Sequence, residues 1–348
     1  MVALDQNLSQ NARLNYHSLY FRGYLLKMLA FSAAIIVGLI ILIWSADRFV
    51  SGAVATALKL GMTPMMVGLT IVAFGTSAPE LIVSATAALS NASNLAVGNA
   101  IGSNIANIAF VLGATAMVSA IPLKNSIIKV EFPVLLLATL VATLLIWDQT
   151  IDFMDGVFLL IILIISLASL TFLQPEEQPE EIDEITENKD IPTKKAYTLL
   201  FVSIVLLLGS SKLLVWGASG VALSLGVSEL VIGLTIVAIG TSLPELAASV
   251  ASALKGHHEL ALGNIIGSNL FNLLAVLAIP AFINPPTLSN TLISRDYSFM
   301  LVLTVGLAIL VYGKVLLKKK SIGKVIGLLL LASYCTYLTI LYQQSALT

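Results

Sequence analysis

With 348 residues, 58% of them hydrophobic and 11% charged, and a mean hydropathy of +0.97, the chain falls outside the ordinary soluble domains and reads as a polytopic membrane protein. Its formal net charge of −1 carries no sign of a nucleic-acid partner. The single cysteine, Cys335, excludes an intramolecular disulfide.

The first 27 residues form a polar tail with Arg13, Arg22 and Lys27. The apolar run that follows ends at Trp44-Ser45-Ala46-Asp47-Arg48, which is no small-residue cleavage site, so an uncleaved first helix is expected rather than a signal peptide. A bilayer-spanning helix needs about 20 largely apolar residues. That ruler predicts ten spans, at 28–50, 63–89, 94–119, 128–147, 155–173, 196–223, 228–254, 260–283, 298–313 and 322–343. The expected organisation is all-α: a polar tail (1–27), five membrane helices (28–173), an acidic linker (174–195) and five further helices (196–348).

The second span carries GLTIVAFGTSAPEL at 68–81, and the third carries GNAIGSNIAN at 98–107. Both return 165 residues later, as GLTIVAIGTSLPEL at 233–246 and GNIIGSNLFN at 263–272. Residues 68–107 share 24 of 40 positions with 233–272, and the identities include Glu, Asn, Ser, Thr and Pro, which a small apolar alphabet does not explain. Upstream, Gly52-Ala53 matches Gly217-Ala218 and Gly61 matches Gly226. The offset spans five helices, an odd number, which reverses the second copy. Two inverted five-helix repeats are therefore expected, an architecture of many secondary transporters.

Between the halves, the linker places eight acidic residues from Glu176 to Asp190 among Pro175, Pro179 and Pro192. It reads as a solvated connector; it lacks the ligand spacing and turn glycine of an EF-hand. Loops 1–2, 3–4, 5–6, 7–8 and 9–10 hold twelve Lys and Arg, against Arg13, Arg22, Lys27 and Arg295 on the other side. The positive-inside rule then puts both termini away from the cytoplasm. Lys318, Lys319 and Lys320 serve orientation and headgroup contact. His257 and His258, in the loop between spans seven and eight, read as an inert exposed pair rather than a pH sensor.

Glu80 and Glu245 each lie inside an apolar span. A carboxylate at bilayer depth costs on the order of 3 kcal/mol, and such residues mark ion or proton paths. The plainer alternative is a structural ion pair, for which Lys212 and Arg48 are the basic candidates within the spans. Pro79 and Pro244 lack an N–H, so the carbonyls four residues back, on Gly75 and Gly240, are expected to lose their usual partner. Helical spacing groups Thr76 and Ser77 with Glu80, Thr241 and Ser242 with Glu245, Ser103 with Asn107, and Ser268 with Asn272. Gly98, Gly102, Gly263 and Gly267 suit close helix packing. The resulting inventory is all oxygen, which hard cations prefer. One Ca²⁺ neutralises two Glu, and so do several Na⁺ or two protons. A site neutralised in either way, but not both at once, is the electrostatic basis of exchange.

The paired GTS-x-PE and GS-N-x-x-N blocks resemble the α-repeats of the calcium/cation antiporter superfamily, which includes the sodium/calcium exchangers. SRDYS at 294–298 is most similar to the bacterial YrbG-type inner-membrane branch. The resemblance implies a central site built by spans 2, 3, 7 and 8. Its implied metal ligands are Thr76, Ser77, Glu80, Ser103 and Asn107, then Thr241, Ser242, Glu245, Ser268 and Asn272, with the backbone carbonyls of Ala73 and Ala238. Many sodium/calcium exchangers carry Asp where this chain has Asn272. The implied function is a secondary antiporter of the bacterial inner membrane, not an enzyme, moving Ca²⁺ against Na⁺ without a cofactor. Its partners are inorganic cations and the lipid bilayer. Proton coupling, or another divalent ion such as Mn²⁺, is the rival within transport. A non-transporting receptor or scaffold is the rival outside it, disfavoured by the intact acid in both copies.

A reporter fused within 174–195 is expected in the cytoplasm and one fused after Thr348 outside it. Both reporters in one compartment would remove the fifth helix of the second half, and the inversion with it.

Overall fold

The computed structural model describes residues 10–124, 127–173, 191–226, 236, 238–317 and 321–345. These are almost wholly helical. The chain begins with α1 (Gln10–Leu60), then α2 (Pro64–Thr76) and α3 (Ala78–Leu89), which meet at a 42° bend. It continues with α4 (Ser93–Val118), α5 (Ile127–Leu145) and α6 (Phe153–Phe172). The second half holds α7 (Thr193–Ser224), α8 (Ala238–Thr241), α9 (Leu243–Leu254), α10 (His258–Ile283), α11 (Leu292–Leu316) and α12 (Lys324–Ser345). Among the described residues, eight helices are long and apolar enough to cross a membrane, and the bent α2–α3 pair makes a ninth.

Several expectations change in detail. Part of the polar tail is already helical: α1 starts at Gln10 because nothing between it and the apolar run breaks the helix, there being neither Pro nor a capping turn. The span at 63–89 is two helices, since Pro79 sits in the first turn of α3 and forces the break. Most of the acidic linker, Lys318 to Lys320, and the start of the second motif at Gly233 lie outside the described residues.

Local structure recurs at the offset of 165. Left-handed turns fall at Gly61 (φ 66°) and Gly226 (φ 84°), and again at Asn91 (φ 59°) and Gly256 (φ 80°). Only glycine, and asparagine to a lesser degree, takes that backbone without strain. Wide π-turns at Ala106–Leu112 and Ile127–Glu131 return at Phe271–Val276 and Leu292–Tyr297, as such insertions do at functional positions.

Packing divides the apolar core in two. A large cluster joins α4, α5, α6, α10, α11 and α12 through residues such as Leu112, Phe132, Leu274 and Ile326. A smaller one joins α1 and α7, through Phe49, Val50 and Leu207, to Val67, Val72, Ala248 and Leu260. Within it Gly38 meets Leu214, Gly52 meets Leu200, and Gly217 meets Ile35. The partner's number falls as the other rises, so α1 and α7 run antiparallel. Large side chains such as Ile40, Ile43, Ile164, Phe201, Val302 and Ile309 stay exposed along the outer helices, an apolar girdle suited to lipid. The centre belongs to α4 and α10, whose most apolar windows are 72% and 83% buried, against 17% for α1.

Close approach at the centre depends on glycine. A Cβ on Gly263 would lie 2.5 Å from the Met65 carbonyl oxygen, and one on Gly267 would lie 2.5 Å from that of Leu69. At the bundle's rim, Ile121–Pro122 pairs antiparallel with Ser321–Ile322, and Lys124 forms an ion pair with Glu259.

Gly267→Val is expected to drive α2 and α10 apart and to lower the thermal unfolding midpoint in detergent sharply. Gly306→Ala, with no described neighbour within 4 Å of the new methyl group, is expected to leave it unchanged or raised.

Candidate cation site

Both breaks are built alike. Ser77 stands between α2 and α3 with φ −81° and ψ 5°, and Ser242 stands between α8 and α9 with φ −89° and ψ 4°. Each is followed by Pro in the first turn and then by the buried acid, Glu80 or Glu245, both 1% exposed. The Ser77 N–H turns back to the Ala73 carbonyl at 3.0 Å, and the Ser242 N–H to that of Ile239 at 3.1 Å. Lys212 and Arg48 are exposed, and Arg48 lies over the Trp44 ring at 5.7 Å. The structural ion pair is therefore not what holds either acid.

The two halves meet at the carboxylates. Ser77 Oγ donates to Glu245 Oε1 at 3.3 Å, across 168 residues of sequence. Ser103 and Glu80 are both buried at this junction, 5% and 1% exposed. Thr76, Ser77, Ser103, Asn107, Ser242, Ser268 and Asn272 are all buried with them. Thr241 is partly buried in the last turn of α8, which Ala238 opens. The Ala73 carbonyl also accepts from Thr76 Oγ1 at 3.4 Å.

Many polar atoms in this cluster find no hydrogen-bond partner among the described residues. They are Oε2 of both glutamates, Oγ of Ser242 and Ser268, Nδ2 of Asn107, and both amide atoms of Asn272. A buried polar group left in that condition costs about 1–3 kcal/mol, and folded proteins hold few of them. The oxygens among them, concentrated on the duplicated motif, fit a desolvated hard cation, which replaces water with carboxylate, hydroxyl and amide oxygens. Among the described residues no three His, Cys, Asp or Glu side chains come together.

The glycine carbonyls do not stay bare as the proline argument expects. Ser211 Oγ on α7 donates to the Gly240 carbonyl at 2.6 Å, and the Ser77 N–H also reaches that of Gly75. The break is too short to leave them free, and a neighbouring helix supplies a hydroxyl. His257 and His258 are half-buried rather than exposed, because His258 opens α10.

Two residues escaped the ligand reading although they lie inside the repeated block. Asn99 Nδ2 donates to the Glu80 carbonyl at 3.1 Å and to Ser84 Oγ at 3.0 Å. Asn264 Nδ2 does the same to the Glu245 carbonyl at 3.3 Å and to Ser249 Oγ at 2.9 Å. Asn264 Oδ1 also accepts from Thr76 Oγ1 at 3.1 Å, tying one half's acid-bearing helix to the other half's break. The signal for them was their identity at the repeat offset in GN-x-x-GSN.

A duplicated broken helix presenting buried acids to a shared oxygen cluster is the arrangement of a membrane cation transporter. The sodium/calcium exchanger protein family matches residues 31–172 and 195–343, and the chain belongs to that family. It is 45% identical to the protein CaxA of Alkalimonas amylolytica over 90% of this chain and 99% of that one. It is 36% identical to the inner membrane protein YrbG of Escherichia coli over 90% and 98%, in keeping with the YrbG-type branch of the calcium/cation antiporters. A solved structure of the sodium-calcium exchanger NCX_Mj, soaked with Na⁺, superposes with a TM-score of 0.76 at 32% identity, covering 90% of this chain and 99% of that one.

Asn264→Ala is expected to destabilise the protein by about 1–3 kcal/mol, since it removes buried hydrogen bonds to the Glu245 carbonyl and to the Ser249 and Thr76 hydroxyls. Asn104→Ala, which among the described residues removes a bond to its own helix's Ala100 carbonyl, is expected to cost less. Thermal unfolding of the two purified variants compares them; equal losses would deny Asn264 its bridging role.

Proposed function

We propose that this member of the family is a secondary active antiporter exchanging Ca²⁺ for Na⁺ across the bacterial inner membrane by alternating access. In this reading ten spans form two inverted five-helix repeats, 28–173 and 196–348, joined by the linker at 174–195, with both termini outside the cytoplasm. Support for inversion comes from α1 and α7, which correspond at the offset of 165 and run antiparallel. The recurrent turns, π-segments and breaks add to it.

The observation that carries the function is the buried glutamate pair with Ser77 reaching across the repeats to Glu245. The proposed ligands are Thr76, Ser77, Glu80, Ser103 and Asn107 with Thr241, Ser242, Glu245, Ser268 and Asn272, and the carbonyls of Ala73 and Ala238. With amides at both Asn107 and Asn272, the two glutamates are the only formal acids in that set. One Ca²⁺ brings it to neutrality. Three Na⁺ would overshoot to a net positive charge in low dielectric, which is costly, so Na⁺ is expected to bind more weakly here than beside an Asp.

No covalent chemistry is required of the site. Ca²⁺ and Na⁺ compete for the same carboxylates, and the empty, doubly charged site is disfavoured in the apolar interior. The protein therefore changes facing mainly when loaded, and one ion's gradient drives the other.

In proteoliposomes an imposed Na⁺ gradient is expected to drive labelled Ca²⁺ uptake at clamped pH. Glu80→Gln and Glu245→Gln are each expected to abolish it without loss of folded protein, since each removes one of the two fixed charges. Near-wild-type flux in either variant would move the site elsewhere. Uptake driven by a pH gradient and not by Na⁺ would replace the sodium assignment with protons.

A further inference from the structure

Serines in membrane helices commonly turn their hydroxyls back to their own helix's carbonyls. On α7 Ser203, Ser210 and Ser224 do so, to Leu199, Leu206 and Gly220. Ser211 does not. It is buried, and its Oγ leaves α7 to donate to the Gly240 carbonyl at 2.6 Å. Gly240 lies in α8, immediately before Thr241 and Ser242.

The same face of α7 touches both breaks. A Cβ on Gly75 would lie 2.9 Å from Ile204 Cδ1, and one on Gly240 would run into Val215. Residues 204, 211 and 215 are spaced by seven and four, which places them on one stripe. That stripe runs about 16 Å along the helix. At the place on α1 that corresponds to Ser211 stands Ala46, which has no hydroxyl to offer. The two halves of the site are therefore unlike at this point.

We propose that Ser211 is a positioning residue for the second half of the cation site. Its hydroxyl fixes the carbonyl of Gly240 on α7, and with it the orientation of the peptide from which Thr241 and Ser242 follow. Without that bond the short α8 can rotate its carbonyls and hydroxyls among several settings, and a cation must then order them at the expense of affinity. The identity of the ion rests on the exchange reading above; the positioning role does not.

The test reads the ion concentration that gives half-maximal thermal stabilisation of the purified full-length protein in detergent, with Ca²⁺ and Na⁺ titrated separately. Binding to the folded state alone raises stability with ion concentration. Ser211→Ala is expected to need about five- to tenfold more Ca²⁺, the order of effect of one buried hydrogen bond. Ser211→Thr, which keeps the hydroxyl, and Ser210→Ala, whose hydroxyl serves its own helix, are expected within about twofold of wild type. Should Ser211→Ala fail to fold, Ser211→Cys is read in its place, and the same rightward shift is expected of its weak donor. A shift within twofold for Ser211→Ala or its cysteine substitute, or an equal shift for Ser210→Ala, would overturn the proposal. Wild-type protein stabilised by neither ion would overturn it together with the site. Absence of Ca²⁺ flux in wild-type proteoliposomes, with ion stabilisation intact, overturns the exchange reading alone.

Discussion

Glu80 and Glu245, two carboxylates from opposite halves of the chain, are each 1% exposed. Like charges brought together in a desolvated interior repel more strongly than in water. In the proposed exchange reading, a cation shared between them offsets that repulsion. The surrounding architecture follows from this requirement. Gly263 and Gly267 let α10 pass against α2 so that the acids of the two halves can share a cluster. Pro79 and Pro244 break the helices where oxygen is needed. Asn99 and Asn264 take up the acids' own backbone carbonyls, which keeps each glutamate on a fixed stem.

One motif used twice yields a two-sided site, yet the two copies are not equivalent in this structure. Ser77 hydrogen-bonds to the opposite acid, whereas Ser242 Oγ has no partner among the described residues. Helix α7 lies against both breaks through Ile204 and Val215. A transporter with identical halves would have no reason to favour one facing. If the proposed alternation between facings operates, differences of this size, a hydrogen bond here and a methyl contact there, would bias it.

Legibility from sequence followed the cost of polarity. Polar residues within apolar spans are expensive, so their repetition at one offset marks both the break and the acid-bearing segment. The Gly61–Gly226 match proves to be a shared left-handed turn, which the sequence alone does not show. Contacts made across the fold were not legible. The carbonyls of Gly75 and Gly240 were expected to be bare, but the hydroxyl that takes Gly240 comes from α7, 29 residues away, and no local rule announces it. Asn99 and Asn264 were passed over for a similar reason: an amide at bilayer depth suits a ligand or a brace equally well, and only the geometry of Ser84 and Ser249 separates the two. Polar residues ahead of the apolar run, with no Pro among them, carry α1 back to Gln10 rather than ending it.

The central claim is that one oxygen site, governed by two glutamates, is neutralised by Ca²⁺ or by Na⁺ but not by both together. Equilibrium binding of labelled Ca²⁺ to the purified protein, measured across a series of Na⁺ concentrations, tests this directly. The account predicts a saturable Ca²⁺ site with one ion bound per chain, whose apparent affinity falls steadily as Na⁺ rises while its capacity stays constant. Ca²⁺ binding indifferent to Na⁺, or retained when Glu80 and Glu245 are both replaced by Gln, would contradict it.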